Sequence, residues 1–452
     1  MLKFITTSIT MKKLFSFLLI SLPIAALAQF PIGNRTITYN DPARSNRAIE
    51  CVIHYPGVSA GSNVDVATGE FPIIVFGHGF AMQVGAYPNW WEELVPDGYI
   101  MVFPTTEGSF FSPDHEAFGL DLRFLVTELK AAGLDNGSPF FGHISDRAGM
   151  MGHSMGGGAT FIGASGFADV DCVVGLAPAE TNPSAASAAA GITAPVLVLS
   201  GTSDGVTPPA DHHILIYDQV GSACKYFVNI ENGSHCHFAS NTTTCVLGEI
   251  IPGSLSAEGQ RAVSYAVVHP WFDYFLKDDC AAWDEYQTAL STEADLGTID
   301  SDCANDAPVI TDNSGTLESD NQTNYQWYLD GDSISNETAQ THTYTQAGTY
   351  QVGTTILGNC PTFSNEIVVQ PTGIVETEIN LSAWQNEIQI SSRDQLNDVR
   401  LDWFDVSGKL ISSESINSVS ANQTITIEKA NFVGVKLLRL TSNQATKTWK
   451  LF

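Results

Sequence analysis

The sequence of 452 residues predicts an α/β protein: a doubly wound, mostly parallel sheet, followed by two small β domains. Three observations carry this expectation. Over residues 29–303, short apolar β-branched runs alternate with amphipathic stretches. From Ala304 to Gln370 there is no Lys or Arg, and short alternating runs are separated by turn residues. From about Pro371 basic residues return on a further strand-like stretch. A single core rarely grows past roughly 250–300 residues, so a chain of this length divides.

The N-terminal segment reads as an address rather than as structure. Lys12 and Lys13 precede the apolar run Leu14–Ala26, which ends in Ala26-Leu27-Ala28 before Gln29, and Met11 is an equally good start. A basic region, a short apolar region and small residues at the cut define a secretory signal peptide over residues 1–28. As a membrane anchor the run falls short of the ~20 residues that a span needs. No later segment is long and apolar enough to cross a bilayer, so the mature protein is expected to be secreted, soluble and monomeric. Hydrophobic residues at 44% and aromatics at 10% supply a sizeable core. The net charge of −29, from 49 acidic against 20 basic residues, repels phosphate backbones and anionic lipid headgroups. Nucleic-acid and membrane-surface roles are thereby excluded, and neutral substrates favoured.

Strand-like runs occur at Ala48–His54, Phe71–Phe76, Tyr99–Phe103, Ala148–Met151, Val170–Leu176, Ala194–Leu199 and Tyr226–Ile230. Helical stretches lie between them at Asn89–Leu94, His115–Ala132 and Ala257–Phe275; in the second, Phe118, Leu122, Leu125 and Leu129 recur at helical spacing. Strands alternating with helices specify a mostly parallel sheet covered on both faces. In an exported protein the eight cysteines are disulfide candidates. Cys280 and Cys303 bracket a polar stretch like a terminal clasp, Cys236 and Cys245 flank one loop, and Cys172 in an apolar run reads as a buried thiol. Cys51, Cys224 and Cys360 have no assignable partner. No Cys/His spacing suits zinc, and no cofactor or metal is expected.

The chemistry centres on Gly152-His153-Ser154-Met155-Gly156. A strand runs into this G-x-S-x-G motif and Gly156–Phe161 leaves it as a helix start, the setting of a nucleophile elbow in an α/β-hydrolase fold. The sharp turn strains the serine backbone, glycines on both sides make room, and the hydroxyl is exposed at the positive end of a helix. Gly77-His78-Gly79-Phe80 follows the strand Ile73–Phe76, where an oxyanion loop belongs, so the backbone N–H groups of Phe80 and Met155 are the expected donors. His78 is read as stabilising that loop. The acid and base should follow the nucleophile in that order, each in the turn after a late strand. Asp204 after Val196–Leu199 fits, with Asp211 second; His235 after Tyr226–Ile230 fits, with His237 its rival. His212, His213 and His269 suit helices and read as solvated or packing residues. His235 would then take the proton from Ser154, and Asp204 would fix its tautomer.

The stretches Gly152–Gly158, Ser203-Asp204 and Gly233-Ser234-His235 resemble the bacterial cutinase and polyester (PET) hydrolase family, over most of residues 45–303. The resemblance implies a Ser154–Asp204–His235 triad, with Phe80 and Met155 lining the oxyanion site and clasping one acyl ring. It also implies departures. Where the family places a stacking Trp, this chain has Thr181 or Asn182, depending on the alignment, which makes Asn182 a possible subsite residue. A family cysteine is displaced to Cys236, and Trp90 and Trp91 read as packing beneath the cleft. The expected substrate is an ester or polyester such as cutin or PET. The alternatives are a general short-chain esterase or lipase, of chlorophyllase-like or platelet-activating-factor-acetylhydrolase-like kind, and a binding or adhesion module with a vestigial catalytic domain. Residues 304–370, with Tyr325–Leu329 and Gly348–Val352, resemble bacterial immunoglobulin-like modules. Residues 371–452, with Trp403–Lys409, Gly434–Leu440 and Lys447–Lys450, resemble the C-terminal sorting domain of type IX secretion in Bacteroidetes, which implies the export machinery as a partner.

Overall fold

The computed structural model describes residues 29–451 apart from 242, 244, 250, 304–306, 321–323, 356–357, 371–378, 384–386, 406–407, 429–435 and 443–445. The expected signal peptide, and Val406, Ser407, Gly434 and Val435 of the sorting-domain pieces, lie outside the described residues. Contacts divide the chain into two units. The first covers the described residues to Cys303 together with Gly358–Cys360; the second covers the remainder.

The first unit is a sheet of ten strands with helices packed on it. In chain order the elements are β1 (Ile32–Asp41), β2 (Arg47–Pro56), β3 (Gly61–Ser62), β4 (Phe71–Gly77), α1 (Pro88–Leu94), β5 (Ile100–Pro104), α2 (His115–Leu134), β6 (Ile144–His153) and α3 (Met155–Ala164). There follow β7 (Cys172–Leu176), α4 (Ala185–Ala189), β8 (Val196–Gly201), α5 (His213–Gln219), β9 (Cys224–Ile230), α6 (Ala257–Lys277), α7 (Ala281–Thr292) and β10 (Leu296–Cys303). The sheet runs β10-β9-β8-β7-β6-β4-β5-β2-β1-β3. Strands β4 to β9 are mutually parallel, whereas β2 against β5, β1 against β2 and β10 against β9 are antiparallel. The parallel strands are apolar along their whole length because both faces are covered. Ile73, Val75, Ala148, Met150, Val173 and Val198 share a core with Phe118, Leu122 and Leu125 of α2 and Ala159 and Phe161 of α3. On the other side, Gly149 faces Phe272 and Leu276 of α6.

Chain order places β5 on one side of β4 and β6 on the other, so the sheet reverses direction between β4 and β6. Ligands in open α/β sheets bind outside the carboxyl ends of the strands at such a switch point. The loops leaving β4 and β6 are the two glycine-rich segments singled out from the sequence.

The expected Cys280–Cys303 clasp is corrected. Cys303 pairs with Cys224, which the antiparallel register of β10 on β9 sets directly opposite, and Cys280 pairs with Cys360. Cys236–Cys245 forms, and Cys172 and Cys51 are buried thiols. The stretch between Cys280 and Cys303 is α7, which buries Ala282, Tyr286 and Ala289, followed by the edge strand β10.

The second unit is all antiparallel β structure among the described residues and has two separate cores. Tyr325–Leu329 pairs with Gly348–Thr354, placing Trp327 opposite Val352, and both are buried with Ile310, Leu317 and Tyr350. Leu396–Phe404 pairs with Leu410–Val419 and Lys436–Thr441, around Ile388, Leu401, Trp403 and Leu438.

Candidate active site

Ser154 has φ 58° and ψ −122°, a conformation that costs a non-glycine residue energy and persists only where the surroundings enforce it. They do so here through glycines. A Cβ on Gly152 or Gly156 would collide with the facing backbone, Gly156 with that of Gly77 and His78. The turn therefore closes only with glycine at 152 and 156, next to glycine at 77. The Ser154 N–H donates to Leu176 O at 3.0 Å, and its carbonyl accepts the N–H of Gly158 at 3.0 Å and of Ala179 at 2.9 Å.

Loops from the ends of three parallel strands meet at this elbow. His235 Nε2 lies 2.9 Å from Ser154 Oγ, and His235 Nδ1 lies 2.7 Å from Asp204 Oδ2. All three side chains are buried, with exposures of 8%, 1% and 5% for Ser154, His235 and Asp204. Burial alone would raise the Asp204 pKa. The His235 hydrogen bond and charge, the His213 field and the Thr207 N–H outweigh it, and the carboxyl stays below the usual carboxylate range. Both carboxylate oxygens are occupied, since Val206 and Thr207 donate their N–H groups to Oδ1 at 2.9 and 2.7 Å. A hydroxyl, an imidazole and a carboxylate in this order let the ring take the hydroxyl proton as the oxygen attacks, while the carboxylate stabilises the resulting imidazolium.

His235 is held by its own backbone. Glu249, itself buried, accepts the His235 N–H at 2.6 Å and the Cys236 N–H at 3.0 Å, and the Cys236–Cys245 bond closes the following loop. His237 lies half-buried on the Cys236–Phe238 turn, and no hydrogen bond among the described residues joins it to Ser154 or Asp204. Asp211 is exposed, its backbone bonded to Pro208.

A cleft of about 260 Å³ opens over the serine, lined by Phe80, Ala81, Met82, Phe110, Ser154, Val206, His235, Cys245 and Gly248. Phe80 is 46% exposed and meets Phe110 edge to face at 6.0 Å. Met155 opens α3, so its N–H is one of those a helix leaves unsatisfied and stands ready as a donor. Its side chain is buried in the core, and Met82 is the methionine that lines the cleft. His78 stabilises its loop, with ring nitrogens 2.9 Å from Gly79 O and Thr106 O. Trp90 is buried and donates to Phe238 O at 2.9 Å, while Trp91 stacks on His54 at 4.1 Å.

Asn182 and Thr181, the expected subsite positions, are not among the residues that line this cleft. Thr181 donates its hydroxyl to Pro183 O at 2.7 Å with its methyl set against Gly158, and Asn182 is exposed. The residue of this loop that meets Ser154 is Ala179, through its backbone N–H. His212 accepts the Glu180 N–H at 2.9 Å, and His269 pairs with Asp97 at 3.3 Å. Sequence reasoning missed His213. Rather than only packing a helix, it is wholly buried 3.6 Å from Asp204 Oδ2, and no local motif signals that approach. Tyr87, whose hydroxyl lies 2.9 Å from His153 Nδ1, was missed for the same reason. Among the described residues no cluster of His, Cys, Asp and Glu could hold a metal ion.

Residues 47–251 match a protein family described as PET hydrolase-like. Similar curated proteins include the cutinase est1 of Thermobifida alba, 27% identical over 160 residues, covering 35% of this chain and 50% of that protein. Cutinase 1 of Thermobifida cellulosilytica is 31% identical over 106 residues, covering 23% and 38%. The bis(hydroxyethyl) terephthalate hydrolase of Streptomyces coelicolor is 25% identical over 199 residues, covering 44% and 58%. The matches span about half the length of these relatives.

Proposed function

We propose that this chain is a secreted serine carboxylic-ester hydrolase of α/β-hydrolase fold, acting on esters of the cutin and polyester kind. The observation that carries the reading is the continuous Ser154–His235–Asp204 hydrogen-bond chain on a strained elbow at the switch point of the sheet. The similarity to cutinases and to a terephthalate-ester hydrolase supports the choice of bond. His235 removes the Ser154 proton as Oγ attacks the ester carbonyl. The oxyanion is held by the Phe80 and Met155 N–H groups, and His235 returns the proton to the departing alcohol. Water then releases the acid by the same route in reverse. The open cleft, with Phe80 and Phe110 on its wall, suits an apolar acyl chain or ring.

Three disulfides support an oxidising compartment, and residues 1–28 supply the export signal. Residues 304–370 form an immunoglobulin-like spacer and residues 371–452 a type IX sorting domain in this reading. The test is a panel of p-nitrophenyl esters, cutin and amorphous PET film with wild type and Ser154→Ala, alongside fluorophosphonate labelling. Hydrolysis and labelling that vanish together in the variant support the reading. A folded wild type that neither labels nor cleaves any ester refutes it in favour of a binding module.

A further inference from the structure

Behind Asp204 lies a second histidine with its own hydroxyl partner. Thr207 Oγ1 is 3.0 Å from Asp204 Oδ2, 2.9 Å from His213 Nε2, 2.9 Å from His235 Nδ1 and 3.4 Å from Ala177 O. His213 Nδ1 is 2.8 Å from Ser200 Oγ. Thr207, His213 and Ser200 are buried, at 4%, 0% and 0% exposure.

We propose that Thr207 and His213 form a positioning relay for the catalytic acid, in which His213 directs the Thr207 hydroxyl proton onto Asp204 Oδ2. The proposal rests on the hydrolase reading of the same site. Its direction follows from counting protons. An ionised carboxylate only accepts, so the Thr207 hydroxyl must give Oδ2 its single proton. The hydroxyl oxygen then accepts from His213, which fixes the ring proton on Nε2. Burial, the main influence on His213, pushes its pKa down to about 3, so the ring is neutral and carries one proton. Nδ1 is therefore bare and accepts from Ser200. The charge at one end orders every bond back to β8.

The relay does two things. It gives Oδ2 a second donor, so the carboxylate cannot turn away from His235 when the ring becomes charged. It also shares the negative charge of Asp204, which moderates the pull on the imidazolium. The groups facing His235 are Asp204, His213, the His153 ring at 4.8 Å, and Glu249 on its backbone N–H. Of these, only the Asp204 environment changes in Thr207→Val, whereas His213→Leu and His213→Gln also remove the His213 ring.

Thr207→Val and His213→Leu should each lower kcat on p-nitrophenyl butyrate about tenfold, the loss of one hydrogen bond to a charged group, with KM little changed. The double variant should be no worse than either single one, because the two act in series. In Thr207→Val the unshared charge holds the imidazolium harder. The acid limb of kcat/KM should therefore move to higher pH. His213→Gln keeps an N–H for Thr207 and should recover most of the rate. Additive losses, an unmoved acid limb, or a folded Gln variant no better than Leu would each overturn the relay. Should His213→Leu fail to fold, Thr207→Val decides: an unmoved acid limb overturns the relay. A wild type inert on all esters sinks the hydrolase reading, while the His213 tautomer, read by NMR on labelled histidine, still judges the relay: a ring protonated on Nδ1 overturns it.

Discussion

The Tyr87 hydroxyl lies 2.9 Å from His153 Nδ1, and this bond joins the loop after β4 to the elbow after β6. The same hydroxyl accepts the Gly79 N–H at 2.8 Å and touches Met82 Sδ at 3.2 Å. On its far side His153 Nε2 donates to His235 O at 3.0 Å. Burial, its main influence, brings the His153 pKa down to about 3, so the ring carries one proton and uses it there. One buried chain of hydrogen bonds thus sets the expected oxyanion loop, the Ser154 elbow and His235 relative to one another.

Tyr87→Phe should cost about 1–3 kcal/mol of stability, because it strands the Gly79 N–H and His153 Nδ1 in a buried place. It should lower kcat more than it raises KM, since the oxyanion donor and base lose their common reference. Thermal melts and Michaelis–Menten kinetics check both. A raised KM at unchanged kcat would show that the chain stops short of the reacting groups.

Stability should begin to fall on the acid side through buried histidines. Burial lowers His54 from 6.5 to about 4, and His153 and His213 to about 3. A depressed folded pKa means the unfolded chain binds the proton first. The stability these rings contribute is therefore complete above pH 6.5 and drains as pH falls toward 4. Each adds a slope of about 1.4 kcal/mol per pH unit inside that window. Asp204 is depressed too, but from 3.8, so its contribution is lost only below that value. Tm should be level above pH 7 and decline steadily from pH 6.5 to 4. His153→Gln should flatten the decline, and a Tm level from pH 7 to 4.5 would contradict the assignment.

Removing residues 304–452 should leave soluble-ester turnover unchanged, provided Cys280 is replaced as well. The serine, acid, base and cleft lining all precede Cys303, but the cut removes Cys360, the partner of Cys280. The stranded thiol would promote cross-linking. The Cys280→Ser truncation should therefore keep the kcat of the full chain and stay monomeric on gel filtration, while the plain truncation forms reducible dimers. A large loss of kcat in the Ser form would mean that the second unit contributes to the site.

What the sequence made legible follows from how local each cause is. The elbow was readable because its glycines answer backbone clashes within a few residues and one facing loop. Asp204 and His235 were readable because parallel strands bring all their carboxyl-end loops to one rim. Strand β1, Ile32–Asp41, was missed because it is a half-exposed strand with many polar residues, covered on its outer side only by the two-residue β3. Helix α7 was missed because only Ala282, Tyr286 and Ala289 mark its buried face. Cysteine pairing depended on strand register, and His213 on where the first turn of α5 meets Ser200 of β8. Neither has a signature along the chain.

The register of the loop after β7 yields the sharpest substrate test. Ala179 donates its N–H to the Ser154 carbonyl, and the next residues turn off toward His212 and His115. Position 179, bonded to Ser154 through its backbone, is therefore the place to test a ring beside the acyl group, with the exposed position 182 as its comparison. An offset aromatic pair is worth roughly 0.5–1.5 kcal/mol, or about two- to tenfold in binding. Ala179→Trp should raise the rate on amorphous aromatic polyester relative to p-nitrophenyl butyrate by a factor in that range. Asn182→Trp, at an exposed position off the cleft, should leave the ratio where it is. The ratio is the quantity to compare, because a general effect on folding cancels from it. If the Asn182 variant gains and the Ala179 variant does not, the acyl chain runs over the outer part of the loop. If neither gains while both stay folded, the aromatic contact is already supplied by Phe80 and Phe110, and Phe110→Ala should then lower the same ratio.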